Sequence, residues 1–380
     1  MTADNWMALT HELGKDFAKR ASDHDREGRF VFENYEQLKQ HRFFSATIPT
    51  EFGGGGLSYS DMCEVIRTMA HYCSSTALAF SMHNHLVATR IWKYRTKGVG
   101  AAMLERVAAN QLVLVSTGAR DWLDSNGTVE AVEGGFLVSG RKHFASQSIA
   151  GDIAVTSAPW QKPDGSKVVL HFPVPMKAEG VRVLDDWDVM GMRGTGSQTI
   201  VFDQVFVPET AIALERPLEG FHPVWNVVLT VAMPLIMSAY VGIAERAFEI
   251  ALEIGSNYKR NADHMAYILG KLNNTLLSAR SQWRYMVNLT NDIDFAPNMD
   301  TTLQILSLKT NVSDAVRDTT AEAMEAIGGQ SFYRKNELER LFRDAQAAPF
   351  PPMPKWDQYA FTGKQILERK AAEHLLESVS

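Results

Sequence analysis

The sequence predicts an α+β protein of successive domains: helices first, then a compact antiparallel β region, then helices to the end. Three observations carry this. Apolar residues recur at helical spacing up to about residue 108, alternate with period two from about 110 to 207, and return to helical spacing after Pro208. The strand-like runs are consecutive rather than interleaved with helices, which indicates separate layers or domains instead of an alternating α/β sheet. No G-x-G-x-x-G is present, so a doubly wound nicotinamide-binding domain is disfavoured. The resulting division is 1–108 helical, 109–212 β, and 213–380 helical.

In the first region Trp6, Leu9, Leu13 and Phe17 mark one face of a helix. Ile48-Pro-Thr-Glu-Phe-Gly-Gly-Gly-Gly56 interrupts the helices. It lacks the G-x-x-x-x-G-K-[ST] pattern of a phosphate loop and reads as a flexible surface connection. Short strands are expected at 112–117, 128–132, 136–139, 153–157, 168–172 and 199–202, separated by Gly, Asp, Asn and Pro, as a small sandwich or barrel. Helices follow near 224–258, 264–292, 299–328, 334–347 and 360–377. Val224 to Ala244 is apolar enough to raise a transmembrane reading, but Asn226, Thr230, Pro234, Ser238 and Tyr240 interrupt it, so a buried bundle helix is expected.

Composition excludes some partners. A net charge of −6 gives no basic footprint for nucleic acid. The two cysteines, Cys63 and Cys73, fit no metal or redox spacing and are expected reduced and packed. The N-terminal residues show no basic segment leading into an apolar core, so a cytoplasmic protein is expected. No H-E-x-x-H or G-x-S-x-G occurs to support a zinc peptidase or a serine hydrolase.

Two segments are more specific. Asp188-Val-Met-Gly-Met-Arg-Gly-Thr-Gly-Ser197 leads into Thr199-Ile-Val-Phe-Asp-Gln-Val-Phe-Val-Pro208, where glycines permit a tight turn before a strand and Pro208 ends it. Glu339-Arg-Leu-Phe-Arg-Asp-Ala345 ends a helix and is followed by a proline-rich stretch, Pro349 to Pro354. These runs, with Ala326-Ile-Gly-Gly329 and Cys73 to His85, resemble the flavin-dependent acyl-CoA dehydrogenase superfamily over nearly the whole chain.

That resemblance implies an acyl-CoA dehydrogenase-like fold with an N-terminal helical domain, a middle β domain and a C-terminal four-helix bundle. It also implies bound FAD, with FMN the second choice, and a homotetramer. Carried over position by position, Val115, Ser116 and Thr117 would line the flavin's polar edge, and Phe144, Ala145 and Ser146 would supply an aromatic face and a hydroxyl. Gly328 and Gly329 would approach a neighbouring subunit's cofactor diphosphate. Glu325 stands where a Gln is common, and Arg260 is a poor match to an Arg that reaches the neighbouring cofactor. Ser125 and Pro352 would line the substrate pocket.

The catalytic base is the departure. In many relatives a Glu in the loop after R-D-A removes the proton next to the thioester carbonyl, and here that place is Pro352. The other known placement falls at about Met233. Asp357 and His85 are left as weak catalytic candidates; His83 and His85 point to different sides of a helix, so a shared metal is not expected. Two readings therefore stand side by side. One is two-electron oxidation of a CoA thioester, with electron-transfer flavoprotein as electron acceptor. The other is oxygenation by a flavin peroxide formed from O2, which needs no such base. A non-catalytic flavoprotein is the third.

Overall fold

The computed structural model describes residues 2–118, 125–256 and 262–379. The N-terminal part consists of α1 (Ala3–Glu27), α2 (Phe32–Gln40), α3 (Tyr59–Ala70), α4 (Ser74–Lys97) and α5 (Ala101–Asn110). Local chemistry sets its boundaries. The Thr2 side chain accepts from the Asn5 N–H to start α1, Gly28 ends it with φ +64, and Ser58 Oγ accepts from the Asp61 N–H at the head of α3. Gly53 to Gly56 differ from the flexible connection read in the sequence. The N–H groups of Gly55 and Gly56 donate to the Ser45 and Ile48 carbonyls, both at 2.9 Å. A Cβ at Gly54 would lie 2.1 Å from the Ile48 carbonyl oxygen, so the glycine allows close backbone packing.

Two four-stranded sheets form the middle of the chain. Their strands are β1 (Leu114–Ser116), β2 (Thr128–Val132), β3 (Gly135–Lys142), β4 (Ile153–Gln161), β5 (Lys167–Pro175), β6 (Val181–Val183), β7 (Ile200–Pro208) and β8 (Leu214–Pro217). One sheet runs β1-β4-β5-β8 and the other β2-β3-β7-β6. Their inner faces share a core that includes Val115, Ala145, Phe172 and Phe202. All pairings are antiparallel as expected except one: β1 runs parallel to β4, Leu114 opposite Ile153. The brief β6 and β8 were not legible in the sequence, being short and half-exposed.

The rest is helical: α6 (Val224–Ser256), α7 (Ala262–Asn288), α8 (Met299–Ile327), α9 (Glu337–Ala345) and α10 (Lys355–Val379). Helices α6, α7 and α8 pack on one another, and α3 and α4 pack on α6, so the N-terminal and C-terminal helices share one core. Helix α6 is long and apolar enough to cross a bilayer, yet 94% of its most apolar window is buried in protein, which makes it a core helix. Pro234 cannot donate within it, and the neighbouring Val231 carbonyl accepts from the Tyr59 hydroxyl at 2.7 Å. Buried Glu245 on α6 accepts from Arg67 and Arg280, both at 2.5 Å, and lies 2.9 Å from His71. Burial alone would raise its pKa, but His71, Arg67 and Arg280 outweigh that and hold it at about 2.

The Arg-Asp pair at the end of α9 joins all three parts of the chain. The Arg343 guanidinium donates to both carboxylate oxygens of Asp25 on α1, at 2.8 and 2.6 Å, to Glu339, and to the Met190 carbonyl at 2.9 Å. Asp344 is buried; it accepts from the Met192 N–H at 2.5 Å and from the Ser74 hydroxyl at the head of α4. Burial raises its pKa, opposed by these two bonds. Gly191 lets the strands of chain meet here, because a Cβ on it would lie 2.3 Å from the Arg343 carbonyl oxygen. Gly191→Ala should force α9 off the middle region and lower stability by about 1–3 kcal/mol; an unchanged thermal unfolding midpoint would contradict this docking.

Candidate functional site

The site is built where β1 emerges beneath α4. His83 on α4 is buried and uses both ring nitrogens: Nδ1 accepts from the Leu114 N–H at 3.1 Å and Nε2 donates to the Phe44 carbonyl at 2.8 Å. Burial pushes it down to about 4, so it is neutral and acts as a fixed peg. Helix α4 thereby sets the height of β1, whose end carries Val115, Ser116 and Thr117. Val115 is buried in the β core, Ser116 is half-buried, and Thr117 Oγ1 donates to Thr156 Oγ1 on β4 at 2.9 Å.

The second expected flavin segment lies beside this strand end. Phe144 has φ +57 and is 55% exposed, with Trp187 edge-on at 6.0 Å. The Ala145 N–H donates to the Gln198 carbonyl, and Ser146 Oγ lies 2.8 Å from Ser197 Oγ, which is 2.7 Å from Thr195 Oγ1. Gln147 links these pieces: its Nε2 donates to the Leu114 carbonyl at 2.8 Å, its N–H to the Thr195 carbonyl at 2.9 Å, and its Oε1 accepts from the Tyr35 hydroxyl at 2.6 Å. The structure thus brings Val115 to Thr117 and Phe144 to Ser146 together around the G-M-R-G-T-G-S turn. Sequence reasoning missed Gln147 and Tyr35, since an isolated Gln after a strand carries no distinguishing signal.

Ser125 lies on the same side. Its Oγ is 2.9 Å from Ser157 Oγ, next to the buried Lys142 ammonium, which donates to the Ser157 and Asn126 carbonyls at 2.7 and 2.8 Å. An exposed aromatic face and a glycine-built turn beside the end of β1 suit a planar polar cofactor such as flavin.

Gly328 and Gly329 are elsewhere in the chain. They are exposed at the end of α8, Gly328 at φ +71, and a Cβ on either would meet nothing within 4 Å. The turn they open borders a concavity of about 640 Å³ lined by Gln330, Tyr333, Lys335, Asn336 and Glu337. Glu325 is exposed, and Arg260 lies outside the described residues.

The proline-rich loop is pinned from below. Lys309 on α8 is buried and its ammonium donates to the Pro349 and Met353 carbonyls at 2.8 and 3.0 Å, with burial lowering its pKa to about 7. Pro352 is half-buried in this loop and Met233 on α6 is buried. Asp357, the loop carboxylate candidate, is exposed on the first turn of α10, while Gln358 turns inward to accept from Thr310 at 2.9 Å. His85 is buried with its Nδ1 lacking a hydrogen-bond partner among the described residues, and burial depresses it to about 4. Among the described residues no three His, Cys, Asp or Glu side chains are grouped to hold a metal.

Comparison with known proteins agrees with this architecture. Residues 9–111, 118–205 and 219–351 match, in turn, the N-terminal, middle and C-terminal domain families of acyl-CoA dehydrogenase. A Bacillus subtilis (strain 168) protein carrying an acyl-CoA dehydrogenase name, YdbM, is 27% identical over 92% of this chain and 93% of its own. L-evernosamine nitrososynthase from Micromonospora sp. is 30% identical over 87% of this chain and 82% of its own. A nitrososynthase crystal structure from Micromonospora carbonacea var. africana superposes with a TM-score of 0.87 at 23% identity, covering 96% of this chain and 97% of that one. The chain belongs to the acyl-CoA dehydrogenase superfamily of flavin-dependent oxidoreductases.

Proposed function

We propose that this protein is a flavin-dependent monooxygenase on an acyl-CoA dehydrogenase scaffold, acting on a small molecule with O2 as co-substrate. One observation carries the reading: the buried carboxylates among the described residues are Glu245 and Asp344, and both are committed to structural networks. Neither Pro352 nor Met233 can remove a proton, and positioned proton transfer is worth on the order of 100- to 10,000-fold in rate. Oxygenation does not require that base. The 30% identity to a nitrososynthase supports the same direction, because making a nitroso group adds oxygen to nitrogen. Two-electron oxidation of an acyl-CoA, with electron-transfer flavoprotein as acceptor, is the second reading, favoured by the similarity to YdbM.

The flavin, FAD before FMN, would be held by Val115 to Thr117 and by Phe144 to Ser146, and reduced flavin supplies the electrons that activate O2. The Thr117 hydroxyl hydrogen is directed to Thr156, which leaves its lone pairs to accept from the cofactor edge. Phe144 offers its exposed face for ring packing. His85, buried and held neutral, would hold the proton exchanged during oxygen transfer. Ser125 and Pro352 would bound the substrate cavity. A second copy of the chain would bring Gly328 and Gly329 to the neighbouring cofactor in a cytoplasmic homotetramer, covering exposed Phe332 and Trp356.

An anaerobic titration with a panel of acyl-CoAs should leave the flavin oxidised, and admission of ¹⁸O2 to the reduced enzyme with amine, sulfide and aromatic substrates should place label in a product. Bleaching by an acyl-CoA, or oxygen uptake with no label incorporated, would sink the proposal. His85→Phe should cost about 100-fold in product formation while flavin is retained, with His85→Gln intermediate. Light scattering should give four copies per particle.

A pH effect follows from the same histidines. His83 and His85 titrate near 4 when folded, against 6.5 when exposed, so the folded state binds fewer protons between those values. Their contribution to stability is complete above pH 6.5 and is lost as pH falls toward 4. The unfolding midpoint should drop over that window, and less steeply in His85→Gln.

A further inference from the structure

Both backbone polar groups of Leu114, the residue that leads into Val115 to Thr117, are held by side chains from outside its sheet. Its N–H donates to His83 Nδ1 at 3.1 Å, and its carbonyl accepts from Gln147 Nε2 at 2.8 Å. A carbonyl can only accept, so the Gln147 amide nitrogen must face Leu114 and the amide oxygen must face Tyr35. The Tyr35 hydroxyl is therefore the donor, at 2.6 Å, and it fixes which way the amide points. Gln147 is buried and held in the left-handed region at φ +60, where a non-glycine residue persists only if its surroundings over-determine it. Its N–H donates to the Thr195 carbonyl at 2.9 Å, and its own carbonyl accepts from the Ala150 N–H at 3.0 Å. One residue is thus committed to β1, to the glycine turn, to α2 and to the turn before β4.

The two supports of Leu114 converge in the N-terminal helices. Tyr35 on α2 has Phe30 edge-on at 4.8 Å and Phe44 at 5.4 Å. Phe44 packs edge-on to His83 at 5.0 Å, and its carbonyl is the acceptor for His83 Nε2. Phe30 presses on the glycine turn as well, since a Cβ on Gly196 would lie 2.7 Å from its ring. Beside Tyr35, the buried Asn34 accepts from Arg20 on α1 and donates to Thr76 Oγ1 on α4, both at 2.7 Å, which ties α2 to its neighbours.

We propose that Tyr35 and Gln147 are positioning residues for the flavin ring: Tyr35 orients the Gln147 amide, and Gln147 sets the end of β1 against Phe144 to Ser146 so that both segments meet one ring. The proposal rests on reading those segments as the flavin site. Neither role requires contact with the ring. Gln147 follows Ser146 directly and holds the Leu114 carbonyl, so a shift of its amide displaces the Ser146 hydroxyl and the end of β1 relative to each other. A helix of the N-terminal part thereby controls a cofactor site built on the middle sheets. The pair lies 112 residues apart, which is why no local pattern in the sequence announces it.

The test is equilibrium binding of FAD, and of FMN in a second arm, to the full chain at a temperature where every variant is folded. Tyr35→Phe should weaken binding at least five-fold and Gln147→Leu at least ten-fold, with the fine structure of the bound flavin's visible band blurred in both. Because Tyr35 acts through Gln147, adding Tyr35→Phe to Gln147→Leu should cost less than a further two-fold. Tyr59→Phe removes an equally buried hydroxyl, the one donated to the Val231 carbonyl, and should lower the unfolding midpoint as Tyr35→Phe does while binding flavin like the wild type. Wild-type affinity and spectrum in Tyr35→Phe, full additivity in the double variant, or an equal affinity loss in Tyr59→Phe would each overturn the proposal. Thr117→Ala and Ser146→Ala separate it from the flavin reading. If both bind flavin as tightly as the wild type, that reading falls and the proposal with it; if they bind more weakly and Tyr35→Phe does not, only the positioning role falls.

Discussion

The contact on which the rest depends is the Arg343-Asp344 pair. Two adjacent side chains of α9 reach α1, the head of α4 and the Gly191 turn of the middle region, so one helical turn fixes three parts of the chain. Asp344 tolerates burial because both its oxygens are satisfied. Arg343 spreads its charge over Asp25 and Glu339, which raises its pKa chiefly through the Asp25 bond. A structure held in this way can leave the surfaces between its parts open for ligands without losing their alignment.

The two ends of that clamp meet the chemistry directly. One end leads along α4 to His83, which carries β1 on a single backbone bond. The other leads into the loop after α9, where Lys309 collects two carbonyls and the chain has no freedom to present a carboxylate. The scaffold that in relatives positions a base is preserved here, while the residue that would act is a proline. A rigid loop without a base is a wall of the cavity, which is consistent with chemistry driven by reduced flavin and oxygen rather than by proton abstraction.

The buried ionisable groups divide into two classes by what neutralises them. Glu245 has three cationic partners and stays ionised at about 2; His83, His85 and His171 are pushed toward neutrality by burial.

By itself the sequence determined the order of helices and strands, because periodicity records which face of each element is apolar, and the glycine-bearing and R-D-A segments were specific enough to identify the superfamily. It also showed that Pro352 and Met233 leave no carboxylate where relatives place one. Tertiary structure decided what spacing cannot encode. It turned Asp357 to solvent and Gln358 inward, since the phase of α10 is set by packing against Thr310. It docked Gly53 to Gly56 tightly onto Ser45 and Ile48, and it aligned β1 parallel to β4. It brought Arg343 to Asp25 and Asp344 to Ser74 and Met192, a juxtaposition produced by long-range contacts and therefore absent from any local pattern in the chain.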